Sequence, residues 1–292
     1  MTTISGSLGT ARLGRRVSRR RRLQPSTHVV LGLLAMLVLV AVFGPLLAPH
    51  SPIAADPVHR LAGIGSPGHL LGTDGQGRDI LSRLLYGART SLLTGLVPVG
   101  ISSVIGTALG MFAGLAGSKL NALVMRVLDV FYAFPTVLLA IAVGAALGPG
   151  IRNAMIALTV VFVPPVARLV ESAVAAVRGD DFMESARSSG ASRVRIATRQ
   201  VLPNVVAPLV VYCTSLIGLS IVEAAGLSFL GLAATPPNAE WGLMLNDGRN
   251  YFFTNPGVAL VPAVAVLVSS LIFNLTGDRL AVELQVDRKE LS

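Results

Sequence analysis

The sequence predicts an all-α, polytopic membrane protein with six transmembrane helices. Of its 292 residues, 52% are apolar and 13% are charged, and the mean hydropathy is +0.69. In soluble domains about a quarter of the residues are charged. A helix needs about 20 apolar residues to cross a bilayer core of roughly 30 Å, and runs of that length recur along the chain after residue 27.

Charge and cysteine content argue against other classes of protein. The net charge of +9 is compatible with a nucleic-acid ligand, but the basic residues are dispersed among apolar runs without interleaved aromatic residues. Basic side chains beside lipid headgroups explain the charge, so we expect contact with membrane lipid and none with nucleic acid. The single cysteine, Cys213, excludes an internal disulfide and a cysteine metal cluster.

The chain begins with a basic tail and a first apolar run. Residues 1–27 contain seven arginines and no acidic residue, so we expect a disordered cytoplasmic tail. Residues 28–48 follow as the first transmembrane helix. A cleavable signal peptide is the alternative, but its apolar core is usually about 7–15 residues long, and no convincing small-residue cleavage site follows this run. We therefore interpret the run as an uncleaved anchor.

Residues 49–90 are predicted to form an extracytoplasmic segment that ends in an interfacial helix. From Asp79 onward leucine and isoleucine recur at helical spacing, with Arg83 and Arg89 between them, as in a helix whose arginines reach toward lipid headgroups. A Gly-Gln-Gly turn precedes the helix, but the phosphate-binding pattern G-x-x-x-x-G-K-[ST] does not occur in the sequence. We expect no ATP site in this chain.

Residues 91–292 are predicted to form a core of five further transmembrane helices. Glycines of the second span favour close helix contact. Arg126 and Asp129 are spaced to form an ion pair before the third span, and Pro135 predicts a kink within that span. The spans and the final charged tail are expected at residues 91–115, 127–147, 151–170, 203–226, 258–273 and 274–292.

The distribution of positive charge predicts the orientation. With six spans and an inner amino terminus, the inner segments contain 18 Lys and Arg residues and the outer segments contain six. Because positive residues concentrate on the cytoplasmic side, both termini and the polar loop at residues 171–204 are expected in the cytoplasm. The last outer loop carries aromatic residues suited to the bilayer interface, namely Trp241, Tyr251, Phe252 and Phe253.

The most distinctive polar stretch lies at residues 184–204, between two apolar runs. It contains an acid, two small residues, a glycine and a distal Leu-Pro pair: Glu184, Ser185, Ala186, Gly190, Leu202 and Pro203. The spacing predicts a short helix, a turn at the glycine and a second helix that begins near the proline. An amphipathic connector between two spans would show a similar composition. The pattern resembles the EAA loop of bacterial ABC-importer permeases, a cytoplasmic coupling helix in which alanine is usual at the position of Ser185.

A second pattern, in the extracytoplasmic segment, is longer and more specific. It is H-x-x-G-T-D-x-x-G-R-D-x-x-S-R-x-x-x-G-x-R-x-S-L from His69 to Leu92, and it includes Gly72, Thr73, Asp74, Gly77, Arg78, Asp79, Ser82 and Arg83. From about residue 28 to its end, the chain resembles the C-type permease subunits of dipeptide and oligopeptide ABC importers. We expect the charged residues of this motif to pair locally and to fix a helix against the membrane. Direct contact with the substrate is the alternative.

This resemblance implies a fold and a set of partners. It implies the type I ABC-importer permease fold in the bacterial cytoplasmic membrane, with no catalytic residue and no cofactor in this chain. It also implies a heterodimer with a second homologous permease, two cytoplasmic ATPases that bind ATP and magnesium, and an extracytoplasmic solute-binding protein. Di- or oligopeptides are the implied solutes, and a nickel chelate, glutathione or another small solute is the alternative.

Glu223 is the one carboxylate expected within the apolar zone of the later spans. A charge at the centre of a membrane helix costs roughly 2.5–3.5 kcal/mol, so such a residue usually faces protein or water. Lining a pathway and bracing the outer loop both suit this position. An ion-coupled carrier would need paired acids or intramembrane histidines, whereas all four histidines precede the second span. G-x-S-x-G and H-E-x-x-H do not occur, so we expect neither an intramembrane hydrolase nor a metal site.

Overall fold

The computed structural model describes residues 25–178 and 188–291, and the regular elements of these ranges are helices. They are α1 (Pro25–Leu47), α2 (Ile80–Leu115), α3 (Ser118–Tyr132), α4 (Thr136–Leu147), α5 (Ile151–Val177), α6 (Arg193–Ile196), α7 (Leu202–Phe229), α8 (Trp241–Gly248) and α9 (Gly257–Leu291). Short 3-10 turns cover Pro57–His59 and Arg249–Tyr251, and a π-helical turn at Ala197–Val201 joins α6 to α7.

Five helical stretches, in α1, α2, α5, α7 and α9, are long and apolar enough to cross a membrane. The third predicted span bends at Pro135, as predicted, but far more sharply than a kink within one helix. Its sequence forms two helices, α3 and α4, which meet at an angle of 86°. Pro135 lacks an N–H group and disfavours helical geometry at Phe134, so the helix ends at Tyr132 and restarts at Thr136. Counting this bent pair as one broken span gives up to six.

One end of the bundle, termed the loop face, carries residues 48–79, 148–150 and 230–256. Arg83 at the start of α2 donates to the carbonyl oxygen of Asn238, at 3.4 Å. The backbone N–H of Gly150, just before α5, donates to the carbonyl oxygen of Leu232, at 3.2 Å. These contacts bring the three connections together at one end.

The opposite end, termed the termini face, carries the start of α1, the α2–α3 turn and the loop before α7. Thr27 Oγ1 donates to Glu283 Oε1 at 3.1 Å, which places the beginning of α1 beside the later part of α9. Arg178, just after α5, donates to the carbonyl oxygen of Ala116 at 3.3 Å. The start of α1 and the later part of α9 therefore lie on the same face of the bundle.

The predicted contact through small residues is confirmed between α2 and α5. Gly106, Gly110 and Gly114 lie on one face of α2, directly against α5. A Cβ atom added at Gly110 would lie 2.4 Å from the carbonyl oxygen of Ala167, and one at Gly114 would lie 2.7 Å from Val174. Because no side chain separates them, the two backbones approach closely along several turns.

Three local predictions are corrected by the packing at helix ends. The basic tail was expected to extend through residue 27, but α1 begins at Pro25 and Thr27 is buried. The charged tail expected from residue 274 continues α9, where a Cβ atom on Gly277 would lie 2.3 Å from Ser215 Oγ of α7. Asp129 forms its ion pair with Arg168 of α5 rather than with a neighbour on its own helix.

The interfacial helix predicted after Asp79 is not a separate element. It forms the first turns of α2, which runs without interruption for 36 residues. The side chain of Arg83 is 1% exposed, so it does not reach lipid headgroups as predicted, whereas Arg89 is exposed. The burial of Arg83 reflects carboxylate partners brought from elsewhere in the chain, described below.

Two glycines allow the irregular segment before α2 to fold back on itself. Gly72 and Gly77 both have a φ of +81°, in the left-handed region that side chains rarely adopt. A Cβ atom on Gly72 would lie 2.2 Å from the carbonyl oxygen of Ala62, and one on Gly77 would lie 1.8 Å from that of Asp56. The motif therefore requires glycine at these positions for both conformation and space.

We predict that Gly77→Ala destabilises the protein more than Gly65→Ala. Gly65 has nearly the same φ, +82°, but a Cβ atom added there would meet open space. A left-handed alanine costs about 1–2 kcal/mol at either site, and only position 77 adds a backbone clash. Thermal unfolding of the two purified variants in detergent measures the difference, and equal unfolding temperatures would contradict it.

Candidate functional site

Four charged side chains form a cluster at the loop face, termed the charged clasp: Asp74, Arg78 and Arg83, which are buried, and Asp247, whose side chain is 27% exposed. Arg78 donates from Nε to Asp74 Oδ2 at 2.6 Å and from Nη2 to Asp247 Oδ2 at 2.9 Å. Arg83 lies 3.6 Å from Asp74 and 3.5 Å from Asp247 through the same carboxylate atoms. Two positive and two negative groups therefore compensate one another, and three of the four are buried.

The charged clasp joins parts of the chain that are distant in sequence. Asp247 lies on α8, 169 residues after Arg78, and Arg83 also donates to the carbonyl oxygen of Pro52 at 3.3 Å. The predicted local pairing is confirmed for Asp74 with both arginines. Asp247 was missed, because the sequence offers no signal for a partner so far along the chain beyond an acid in a turn-rich loop.

Asp79 serves a different purpose from the one predicted, because it pairs with no arginine in the described ranges and instead lies beside two histidines. Its Oδ2 atom accepts hydrogen bonds from the Ser82 N–H at 2.8 Å and the Ser82 hydroxyl at 2.7 Å, which caps α2. Its Oδ1 atom lies 2.9 Å from His69 Nδ1. Burial opposes ionisation, but the hydrogen bonds from Ser82 and His69 outweigh it and lower the pKa of the Asp79 carboxyl. This cap is charged at neutral pH.

The remaining motif residues complete a buried turn. The Thr73 hydroxyl donates to the His59 carbonyl oxygen and accepts from the Ala62 N–H at 2.9 Å. Together with the glycines described above, the structure gathers all eight motif residues at the start of α2, and all eight are buried. Their contacts within the described part of the chain hold this turn against the start of α2.

A further buried carboxylate, Glu240, was not singled out from the sequence. It is 1% exposed and caps α8 by accepting from Gly242 N–H at 3.0 Å and Leu243 N–H at 2.8 Å. The Ser91 hydroxyl of α2 also donates to it, at 3.0 Å. Trp241, predicted to lie at the bilayer interface, is instead 3% exposed, because this cap draws it into the bundle against α2.

Glu223 lies near the loop-face end of α7 and is 6% exposed. Neither of its carboxylate oxygens has a hydrogen-bond partner of normal geometry in the described part of the chain, although Thr136 at the start of α4 lies near enough to interact. The carboxyl group therefore faces the broken third pass. The alternative that it braces the outer loop finds no hydrogen bond within residues 230–256.

The polar loop at the termini face is described from Ser188 onward. Glu184, Ser185 and Ala186 lie outside the described residues. Gly190 has a φ of +75°, as expected of glycine at a turn, and a Cβ atom there would meet nothing within 4 Å. Within the described part of the chain, open space rather than a packed contact surrounds this glycine.

The second half of this loop is anchored on α5. Ile196 and Val201 are buried and pack with Val170 and Val174 near the end of α5. Leu202 is half-buried and Pro203 is exposed at the start of α7, preceded by the π-helical turn. A displacement of the loop would therefore act on α5 and α7 together.

An exposed surface lies outside this anchor. Val194 is 72% exposed, and Arg195 and Arg199 are exposed on the same short segment. An exposed apolar side chain on the same segment as two cations can contact an apolar surface rimmed by acidic residues.

Comparison with known families identifies one match. The model for the family described as binding-protein-dependent transport system inner membrane component matches residues 106–283. The chain is 41% identical over 262 residues to the dipeptide transport system permease protein DppC of Alkalihalophilus pseudofirmus, covering 89% of this chain and 86% of the relative. It is 44% identical over 262 residues to the glutathione transport system permease protein GsiD of Escherichia coli, covering 90% of this chain and 86% of that relative.

Solved structures show the same fold. A chain of the inward-facing MetNI methionine ABC transporter aligns with a TM-score of 0.56 and 22% identity, covering 68% of this chain and 94% of that one. A chain of an amino acid ABC transporter solved with histidines aligns with a TM-score of 0.52 and 16% identity, covering 67% of this chain and 91% of that chain. The predicted all-α permease fold is confirmed.

We predict that Asp74→Asn strongly destabilises the loop face. Removing one partner from a buried ion-pair cluster costs about 3–5 kcal/mol, because the remaining charges stay buried. Asp56→Asn is the matched control, since Asp56 is an exposed aspartate of the same segment that pairs with His59. Thermal unfolding and limited proteolysis of the purified variants provide the measurement. A stability of Asp74→Asn equal to that of the control would show that the charged clasp contributes little.

Proposed function

The chain belongs to the family of binding-protein-dependent transport system inner membrane components, and from this premise we propose that it forms half of the translocation pathway of an importer for short peptides. As a member of that family it is a multi-pass ABC-importer permease, a transport subunit rather than an enzyme. The solute, the partners and the orientation are the parts that we propose.

The names of the relatives support short peptides as the solute. One relative is named for dipeptides and one for glutathione. Glutathione is itself a small peptide with charged termini, so one chemical class covers both names. The alternative of glutathione alone remains open to the test below, as does a nickel chelate.

Coupling to ATP hydrolysis is proposed for the loop at residues 171–204. ATPase subunits at the termini face would contact the exposed surface around Gly190 and Val194. Because the loop is anchored on α5 and leads directly into α7, closure of the ATPases would move both helices. Their movement would switch the pathway between inward and outward access, with ATP and magnesium bound by the partners.

A second, homologous permease is proposed to cover the broken third pass. The backbone between α3 and α4 departs from helical geometry, and such backbone is tolerated at membrane depth only against protein or a water-filled cavity. Large apolar side chains flank this break and are exposed in the isolated chain, among them Val127, Phe134 and Leu138. Glu223 faces the same region and is our candidate for a residue that lines the pathway.

The orientation follows from the two faces. In the sequence count, the segments richer in arginine and lysine are those that adjoin the helix ends at the termini face, so we place this face in the cytoplasm with both termini. The loop face, with its charged clasp, would then present a rigid surface to an extracytoplasmic solute-binding protein.

The function is tested by reconstitution. We expect proteoliposomes that contain this chain, its paired permease and the ATPases to import a labelled dipeptide only with the binding protein and internal ATP. Competition with glutathione and with a nickel chelate ranks the solutes. Transport by this chain alone, driven by an ion gradient, would instead identify a secondary carrier.

Cysteine labelling tests the orientation. In a Cys213→Ser background, we expect a membrane-impermeant maleimide to label cysteines at Gly65 and Asn238 from outside intact cells. Both positions are exposed on the loop face. A cysteine at Ser189 should react only after the cells are opened, and strong labelling of Ser189 in intact cells would overturn the proposed mechanism.

Substitutions at Gly190 test coupling. We expect Gly190→Asp to reduce uptake and substrate-stimulated ATPase activity at least tenfold while the complex still assembles, because a Cβ atom at this position meets nothing within 4 Å among the described residues. Asparagine at position 190 can adopt the same left-handed backbone conformation but carries no charge. The Gly190→Asn variant therefore separates the effect of side-chain size from the effect of side-chain charge. Glu184→Lys is expected to act in the same direction.

Gly117→Asp is the matched control, since Gly117 lies on the same face and a Cβ atom added there would also meet open space. Copurification of the subunits confirms assembly of each variant. If Gly190→Asp and Glu184→Lys both transport like Gly117→Asp, the loop is an ordinary connector between two spans.

A further inference from the structure

Three side chains that bind metals in proteins meet on the loop face beside the charged clasp. They are His50, His69 and Asp79, whose ligand atoms all lie within 4.8 Å of one another. His69 Nδ1 is 2.9 Å from Asp79 Oδ1, and His50 Nδ1 is 3.8 Å from Asp79 Oδ2. The two imidazole rings lie 4.9 Å apart.

We propose that His50, His69 and Asp79 form a binding site for a divalent first-row transition ion, for which Zn²⁺ is the probe. Two imidazole nitrogens and one carboxylate oxygen suit borderline ions of this class better than Mg²⁺ or Ca²⁺, which prefer oxygen ligands. With three protein ligands, the ion would retain an open position toward the outside. The site is independent of the solute that the importer carries.

The distances suit a single ion. Ligand atoms that are each about 2.0–2.2 Å from the same ion can be at most about 4.2 Å apart. The His69–Asp79 pair at 2.9 Å already satisfies this limit. The His50 side chain is 43% exposed, compared with 12% for His69 and 1% for Asp79. His50 is therefore free to rotate and to close the widest separation around two fixed ligands.

A second layer of hydrogen bonds orients these ligands, as is usual for metal sites. Ser82 donates both its N–H and its hydroxyl to Asp79 Oδ2, which leaves Oδ1 directed at His69. The Ser82 hydroxyl oxygen also accepts from the backbone N–H of His50 at 3.0 Å. One serine thus holds two of the three ligands.

The position of the site suggests what a bound ion would do. His50 lies three residues after the end of α1, His69 lies in the irregular segment, and Asp79 caps α2. An ion would link these three parts of the chain by a route that does not involve the charged clasp. Since it would bind the folded state only, it should raise the unfolding temperature.

The test is Zn²⁺ binding to the full-length chain, purified in detergent without a polyhistidine tag and stripped with EDTA. We expect one Zn²⁺ per chain by competition with a chromophoric chelator, and an unfolding temperature that rises with Zn²⁺. His50→Ala and His69→Ala should each weaken binding at least tenfold and abolish the thermal shift. Asp79 is left intact because it caps α2.

His59→Ala is the matched control. His59 is an exposed histidine of the same segment, hydrogen-bonded to Asp56 at 2.7 Å, and its replacement should leave affinity and thermal shift unchanged. Size-exclusion profiles without metal show whether each variant is folded. Equal Zn²⁺ affinity in all variants would mean an adventitious ion only, and a loss in His59→Ala but not in His50→Ala would overturn this choice of ligands.

Discussion

The loop face depends on one constraint, which is that two buried arginines require two carboxylate partners. Arg78 and Arg83 are almost fully enclosed and share Asp74 and Asp247. A buried charge without its partner is strongly destabilising, so the segment before α2, α2 itself and α8 must meet in one arrangement. Glycines with positive φ at positions 72 and 77 make that arrangement sterically possible.

The two faces of the bundle are built in different ways, and the difference suits their proposed roles. The loop face is held by buried ion pairs and carboxylate caps such as Glu240, which favour a rigid surface for a binding protein. On the termini face, the described part of the polar loop is held mainly by apolar contacts of Ile196 and Val201 with α5. Apolar contacts are not directional, so this loop can move with its helices. The proposed metal site would add rigidity only to the loop face.

Much of the fold could be predicted from the sequence, because crossing a membrane depends mainly on the length and hydropathy of a continuous run. The helices α1, α2, α5, α7 and α9 correspond to predicted spans, although each extends beyond the predicted bounds at one end or both. The third predicted span is the exception, because its sequence forms two short helices. Pro135 predicted a departure from a straight helix, but the angle of 86° is seen only in the tertiary structure, where α3 and α4 both contact α5.

The sequence by itself determined the membrane class, the small-residue contact of α2 and the identity of the motif at its start, since these are properties of composition and of local spacing. Only the tertiary structure decided how the motif is satisfied. Asp247 and His50 reach it from other parts of the chain, and Trp241 is drawn from the expected interface into the bundle. The physical reason is that a buried charge or polar group takes whichever partner the packed helices bring within hydrogen-bond distance, and that partner has no fixed spacing along the chain.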